Sequence, residues 1–249
     1  MATRGEFLER IRREVERGGR SFEAVAAPRP PRPADAAEAV RRQMAERWPQ
    51  ALERFRDEFE KVAGVFHRVA TAAEVPGVIA AIARERSVGE VLAWDRDNLG
   101  IDLLPELTSA GIGLAVAPPG GGEAPRLRHR AQAASAGIGV TGVDWVLAET
   151  GTLIVVSGGG RPRSTSLLPA THVAVFDRRR LLESLEQVGL VLEALHADPA
   201  RTMSGAMINF ITGPSRTADI ELTLTRGVHG PKEVHAVFVD ELVGADGAV

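Results

Sequence analysis

The 249-residue chain carries 44% apolar and 25% charged side chains, an ordinary globular balance with length enough to bury one large core or two small ones. Collagen-like, coiled-coil and wholly disordered classes are therefore excluded. Thirty basic against thirty-three acidic residues leave a formal net charge of -3, which offers no global positive field toward nucleic acid or an anionic membrane.

Cysteine is absent, which removes disulfides, a thiol nucleophile, thiolate zinc sites and any cysteine-held iron–sulfur cluster from this chain. The opening segment MATRGEFLERIRREVERGG is charged at nearly every turn and lacks the apolar core of a signal peptide, so a cytoplasmic protein is expected. No window approaches the roughly 20 consecutive apolar residues of a bilayer span, and the best, around Leu153 to Val156, has strand length. Three tryptophans and no tyrosine leave few rings for stacking bases, which weakens an RNA-binding reading.

In chain order, Phe7, Leu8, Ile11 and Val15 mark an amphipathic helical segment, followed by Gly18-Gly19 and a proline-rich stretch with four prolines between positions 28 and 33. Residues 1–34 are thus expected to form an arm and linker, able to dock on the body or on a second copy in a homo-oligomer. Asp35 is placed to cap a long helix whose apolar positions, Val40, Met44, Trp48, Leu52, Phe55, Phe59, Val62 and Phe66, recur at three or four, with a kink or break expected at Pro49. This helical extension fills residues 35–70.

From Thr71 to the end the pattern alternates as in an α/β domain. The capping box Thr71-Ala-Ala-Glu74 opens the helix PGVIAAIARER, the run VGEVLAW is strand-like, and a helix over Leu103 to Ala110 leads to the strand GIGLAVAP. Strand, helix and strand in that order predict parallel pairing with helical crossovers. Residues 137–177 contain β-rich runs separated by glycine turns, the middle two close enough to pair as a hairpin, and RRLLESLEQVGLVLEALH reads as a helix. The last stretch, from Met207 to Asp240, reads as strand, tight turn, helix, glycine turn and strand.

Three segments carry candidate chemistry. In Ile211-Thr-Gly-Pro-Ser-Arg-Thr-Ala-Asp-Ile220 a strand ends at Gly213-Pro214 and a helix is expected to begin among hydroxyls, where free amides and Ser215, Arg216 and Thr217 would attract an anion; plain N-capping is the simpler use of the same residues. Gly227-Val-His-Gly-Pro-Lys232 is a turn carrying His229, an imidazole able to exchange protons or present a neutral nitrogen, and the only lysine of the C-terminal half; its bland use is a histidine bonded to a carbonyl. Ala148-Glu-Thr-Gly-Thr-Leu153 holds Glu149 at a strand end, as a base, a nucleophile, a partner for Arg216 or His229, or a solvent-facing carboxylate. The run Ser157-Gly-Gly-Gly-Arg-Pro-Arg-Ser-Thr-Ser166 reads as a flexible hairpin tip in preference to a phosphate nest with Arg161 and Arg163. Gly120-Gly-Gly122 lacks the third glycine of a dinucleotide fingerprint, and neither a P-loop nor a compact metal-ligand spacing occurs.

Taken together, GVTGVDWVLAETGTLIV, LLPATHVAVF and GPSRTADIELTLTRGVHGPKEVHAVFV resemble the LUD domain family, in its lactate-utilisation protein C group, over roughly residues 70 to 240. The resemblance implies an α/β fold with a NagB/RpiA/CoA-transferase-like parallel-sheet core and an N-terminal helical extension. It also implies a role in oxidising L-lactate to pyruvate beside partner subunits that bear the iron–sulfur clusters, this chain holding no cofactor. Glu149 and His229 are then the catalytic candidates. The candidate contacts to a small carboxylate or phosphate-like anion are Thr150, Gly151, Thr152, Gly213, Ser215, Arg216, Thr217, Asp219, Gly230 and Lys232, gathered in one pocket at the carboxyl edge of the parallel sheet. A stand-alone transferase or isomerase acting on an anionic acyl or phospho substrate, and a small-anion sensor, are the competing readings.

Overall fold

A 29-residue helix, α1 (Pro33–Lys61), leads into the sheets, with Ala37, Val40, Met44, Ala51, Leu52, Phe55 and Phe59 buried at helical spacing. In this computed structural model the described residues are 5, 8–10, 13, 30–117, 122–198, 207–218 and 224–244. The chain divides into two units, Met1–Arg32 and Pro33–Val249. Of the helix read around Phe7, Leu8, Ile11 and Val15, only Leu8 is among the described residues, and most of the proline-rich linker lies outside them; residues 5, 8–10 and 13 have helical backbone.

Three expectations for α1 are corrected, the first being its end: the helix stops at Lys61, and Phe66, read as its last apolar position, lies in the strand Val65–Val69, so the helical extension does not reach residue 70. Of the kink or break expected at Pro49, the break does not occur: the helix runs continuously through the proline, because its apolar stripe stays in phase on both sides and docks on one surface, which outweighs the lost N–H bond. It opens at Pro33, whose ring pre-sets φ for a first helical position, and this leaves Asp35 in the first turn instead of at the cap.

Six strands form an all-parallel sheet: β1 (Val65–Val69), β2 (Glu90–Ala93), β3 (Gly113–Val116), β4 (Ile138–Gly142), β7 (Thr171–Asp177) and β12 (Glu233–Val239), in the order β1-β12-β7-β4-β2-β3. Helix α2 (Val75–Glu85), entered through the Thr71–Glu74 capping box, joins β1 to β2. The short α3 (Arg96–Leu99) and α4 (Leu104–Ser109) join β2 to β3, and α5 (Glu123–Ser135) joins β3 to β4. Crossovers of this kind are what parallel pairing requires.

A second, four-stranded sheet comprises β5 (Trp145–Leu147), β6 (Thr152–Ser157), β8 (Leu181–Leu182) and β9 (Met207–Ile211), in the order β8-β5-β6-β9. The expected hairpin is β5 with β6, antiparallel, and β9 adds antiparallel to β6. A short helix, α6 (Ser164–Leu167), precedes β7. The helix expected across residues 179–196 starts late: Leu181 and Leu182 pair with β5 as β8, and α7 (Leu185–Ala197) follows its cap Ser184, whose hydroxyl accepts from the Gln187 amide at 3.4 Å.

The parallel sheet is covered on both faces, so its central strands read as unbroken apolar runs. On β7 and β12, Ala174, Phe176, Val234, Ala236 and Phe238 face α1 and the second sheet, while Val173, Val175, Val237 and Val239 face α2 and its neighbours. Aromatic rings fasten α1 to its face: Phe55 stacks on Phe59 at 5.2 Å between centroids and meets Phe176 edge-on at 5.5 Å, and Trp48 stacks on Phe238 at 5.9 Å. The fully buried His172 shares a 2.9 Å hydrogen bond with the Thr141 hydroxyl; burial first, and then His235, push its pKa down to about 3, so it stays neutral.

Candidate functional site

The loops singled out in the sequence gather at the amino edge of the parallel sheet, opposite the expected carboxyl edge. The turn Gly227–Lys232 runs straight into the first residue of β12, and Lys232 N–H donates to the carbonyl of Ala170, just before β7. The helix expected after Gly213-Pro214 is a strand, β10 (Arg216–Ala218), paired antiparallel with β11 (Leu224–Arg226) so that Thr217 opposes Thr225. Among the described residues no helix begins at this junction, so the free helix amides expected to attract an anion are not supplied there. Asp219 lies outside the described residues.

Most of these residues serve the end of α1. Gly151, at φ 61°, leaves no room for a Cβ against the Phe59 backbone, and Gly213, at φ 75°, would place one 2.7 Å from the Val62 carbonyl. Arg216 donates from Nη2 to that same carbonyl, which is one of the orphan acceptors past a helix C-terminus. A chain of hydroxyls, Thr150 to Thr152 at 2.7 Å and Thr152 to Thr212 at 2.8 Å, ties the two loops together.

A second knot surrounds Ser215. Its amide donates to the Pro231 carbonyl at 2.9 Å, its carbonyl accepts from Gly227 N–H at 3.0 Å, and its hydroxyl accepts from His229 N–H at 3.3 Å, with Gly230 packed against it. The His229 and Lys232 side chains are exposed. Glu149 faces elsewhere: its Oε1 accepts from the Leu185 amide at 2.9 Å, satisfying the first free N–H of α7. Among the described residues, no hydrogen bond or ion pair joins Glu149 to Arg216 or His229.

A concave site among the described residues lies at the other edge. Where β2, β4 and β7 end, a cleft of about 260 Å³ opens, lined by Trp94, Asn98, Val143, Asp144, Arg161, Asp177 and Arg180 among others, with Val243 and Gly244 along one side. Parallel α/β sheets hold ligands at this edge, because loops diverge there. Asp144 accepts from Val156 N–H at 2.7 Å and from the Arg161 guanidinium at 2.8 Å, and that guanidinium lies 5.7 Å from the centre of the Trp94 ring.

Asp177, 1% exposed, takes Arg179 in a bidentate grip, with contacts from 2.7 to 3.2 Å, and accepts from Val243 N–H at 2.8 Å. Burial by itself pushes this carboxyl up, and the hydrogen bonds from Arg179 and Val243 more than reverse that, holding its pKa below the ordinary carboxylate value. Arg180 enters no hydrogen bond or ion pair among the described residues; burial works against its charge and Asp177 and Asp144 support it from farther off. The Trp94 indole N–H, buried beneath Arg161, has no hydrogen-bond partner there either.

Comparison with known proteins sets these sites in a lineage. Residues 52–239 match the LUD domain family, so the match covers most of the chain and every strand from β1 to β12. The chain belongs to the LUD domain family. Relatives of this LUD chain include proteins named lactate utilization protein C from Halalkalibacterium halodurans, 41% identical over 119 residues (48% of this chain and 50% of that protein), and from Macrococcus caseolyticus, 36% identical over 156 residues (61% and 62%). A third, from Geobacillus, is 29% identical over 180 residues (69% and 70%). The chain thus spans about half to two thirds of the first two relatives' lengths. The crystal structure of a DUF162 family protein from Deinococcus radiodurans shares the fold, with a TM-score of 0.52 at 20% identity, covering 77% of this LUD chain and 98% of that one.

Sequence reasoning missed the carboxyl-edge residues. Arg161 was expected in a hairpin tip, where it indeed bridges back to Gly158, but its side chain turns inward to Asp144. Arg180 sits in a run of three arginines, the last two of which open the segment read as a helix. The available signal was position: Trp94, Asp144 and Asp177 each stand at, or within two residues of, the end of a parallel strand.

Proposed function

We propose that this chain is a non-redox component of a lactate-utilisation system, binding a small anion at strand-end loops while iron–sulfur partner subunits carry the electrons. The observation that carries this reading is the family membership together with the shared name of its relatives, lactate utilization protein C. Two features of the chain support it. Oxidising lactate to pyruvate releases two electrons, and a chain without cysteine supplies no thiolate for a cluster to receive them. A half-buried arginine facing a cleft suits an anion better than a neutral ligand.

The test is genetic and biochemical. Deleting the gene should abolish growth on L-lactate and spare growth on glucose, and the tagged full chain should co-purify with a protein containing iron and acid-labile sulfur. Undiminished growth on lactate by the deletion strain, with no cluster-bearing protein recovered, refutes the proposal.

A further inference from the structure

The cleft at the ends of β2, β4 and β7 contains charges that differ in how far they are satisfied. Asp144 is engaged by Arg161 and the Val156 amide, and Asp177 by Arg179 and the Val243 amide. Arg180 has no such partner among the described residues although it is partly withdrawn from water. A guanidinium in that position is stabilised by any carboxylate that reaches it, through charge-assisted contact with its fork of N–H donors.

The remainder of the lining narrows the class of anion. The Asp97, Asp144 and Asp177 carboxylates face the same space as the Arg161 and Arg180 guanidinia, so the local field does not favour a multiply charged phosphate. Trp94, Leu99, Val143, Val175 and Phe176 supply apolar wall for a short hydrocarbon tail. The volume, about 260 Å³, lies below the roughly 300–1,000 Å³ of sites for drug-sized ligands.

We propose that this cleft binds a small monocarboxylate with a short apolar tail, with Arg180 as its ionic anchor beside the Arg161–Asp144 pair that sits over Trp94. The inference rests on the anion-binding reading above and gives it a place and a chemical class. Arg180 touches the ligand directly, whereas Asp144 and Asp177 act as positioning residues that hold Arg161 and the Arg179–Val243 segment around it.

Isothermal titration of the full chain with L-lactate, pyruvate and inorganic phosphate tests this, alongside Arg180→Gln, Asn98→Trp and Arg216→Ala. Asn98 is exposed at the cleft wall, so the tryptophan obstructs the cleft without entering the core and serves as the second variant should Arg180→Gln fail to fold. The expected result is saturable binding of lactate or pyruvate, weakened on the order of 10-fold or more by Arg180→Gln and by Asn98→Trp. Binding that survives both variants, or that is lost only in Arg216→Ala, moves the anion to another place and overturns the cleft assignment while leaving the anion reading intact. Tighter binding of phosphate than of either carboxylate overturns the ligand class. No binding of any probe by the unaltered chain defeats the anion reading itself, and this inference with it.

Discussion

Asp177→Asn tests how the cleft is held together. The native carboxylate receives the Arg179 guanidinium at two oxygens, the Arg179 amide at 2.8 Å and the Val243 amide at 2.8 Å, and it is 1% exposed. Asparagine keeps the volume and removes the charge, and its NH2 group must face one of these donors. Two charge-assisted interactions are lost, each worth about 1.5–3 kcal/mol. The Arg179 side chain is 25% exposed, so water recovers part of its share. The net cost should be about 2–4 kcal/mol, which at about 2 °C per kcal/mol for a chain of 249 residues is a fall of about 4–8 °C in melting midpoint.

The pH dependence gives an independent reading of the same variant. The Asp177 pKa is lower in the folded chain than its ordinary value, so its contribution is complete above that value, about 4, and drains away as pH falls through the lower folded value. Asparagine does not titrate, and the variant should lose that part of the acid sensitivity. Differential scanning calorimetry at neutral pH and at several acid values measures both effects. A midpoint within 1 °C of the parent, or an acid profile identical to it, refutes the reasoning.

Two further substitutions probe the amino-edge loops. Gly151→Ala forces an alanine into the left-handed region and a methyl group into the Phe59 backbone, and urea unfolding should show a loss exceeding about 2 kcal/mol; a loss below about 1 kcal/mol shows that α1 yields easily there. Glu149→Ala removes the acceptor for the Leu185 amide and should cost about 1 kcal/mol, whereas Glu149→Gln keeps an oxygen there and should cost less than half of that; equal losses in thermal melts would mean that the cap is not what Glu149 supplies.

The parallel sheet was legible because both faces are buried, and so β4, β7 and β12 announce themselves as apolar runs between glycine turns. The helix after Gly213 was misread for a specific reason. Serine and threonine after Gly-Pro fit a cap as well as a strand, and the deciding partner, Leu224–Arg226, enters only through pairing. The glycines and threonines of the Glu149 and Gly213 loops were correctly seen as closely constrained, yet what constrains them is Phe59 and Val62, roughly 90 to 155 positions earlier in the chain. Burial of Arg180 was invisible for the complementary reason. Nothing local distinguishes a guanidinium that faces a cleft from two neighbouring ones that do not.

The place of β12 in the sheet governs when the molecule can form. It lies between β1 and β7, matching Val65–Val69 on one side and Thr171–Asp177 on the other, although it follows both in the chain. During synthesis, therefore, two parallel strands wait with bare amides and carbonyls until residues 233–239 leave the ribosome, and each is a template for a stray strand in the meantime. Joining a segment near position 65 to one near 239 is also a long-range chain closure, a kind of contact that slows folding relative to local pairing.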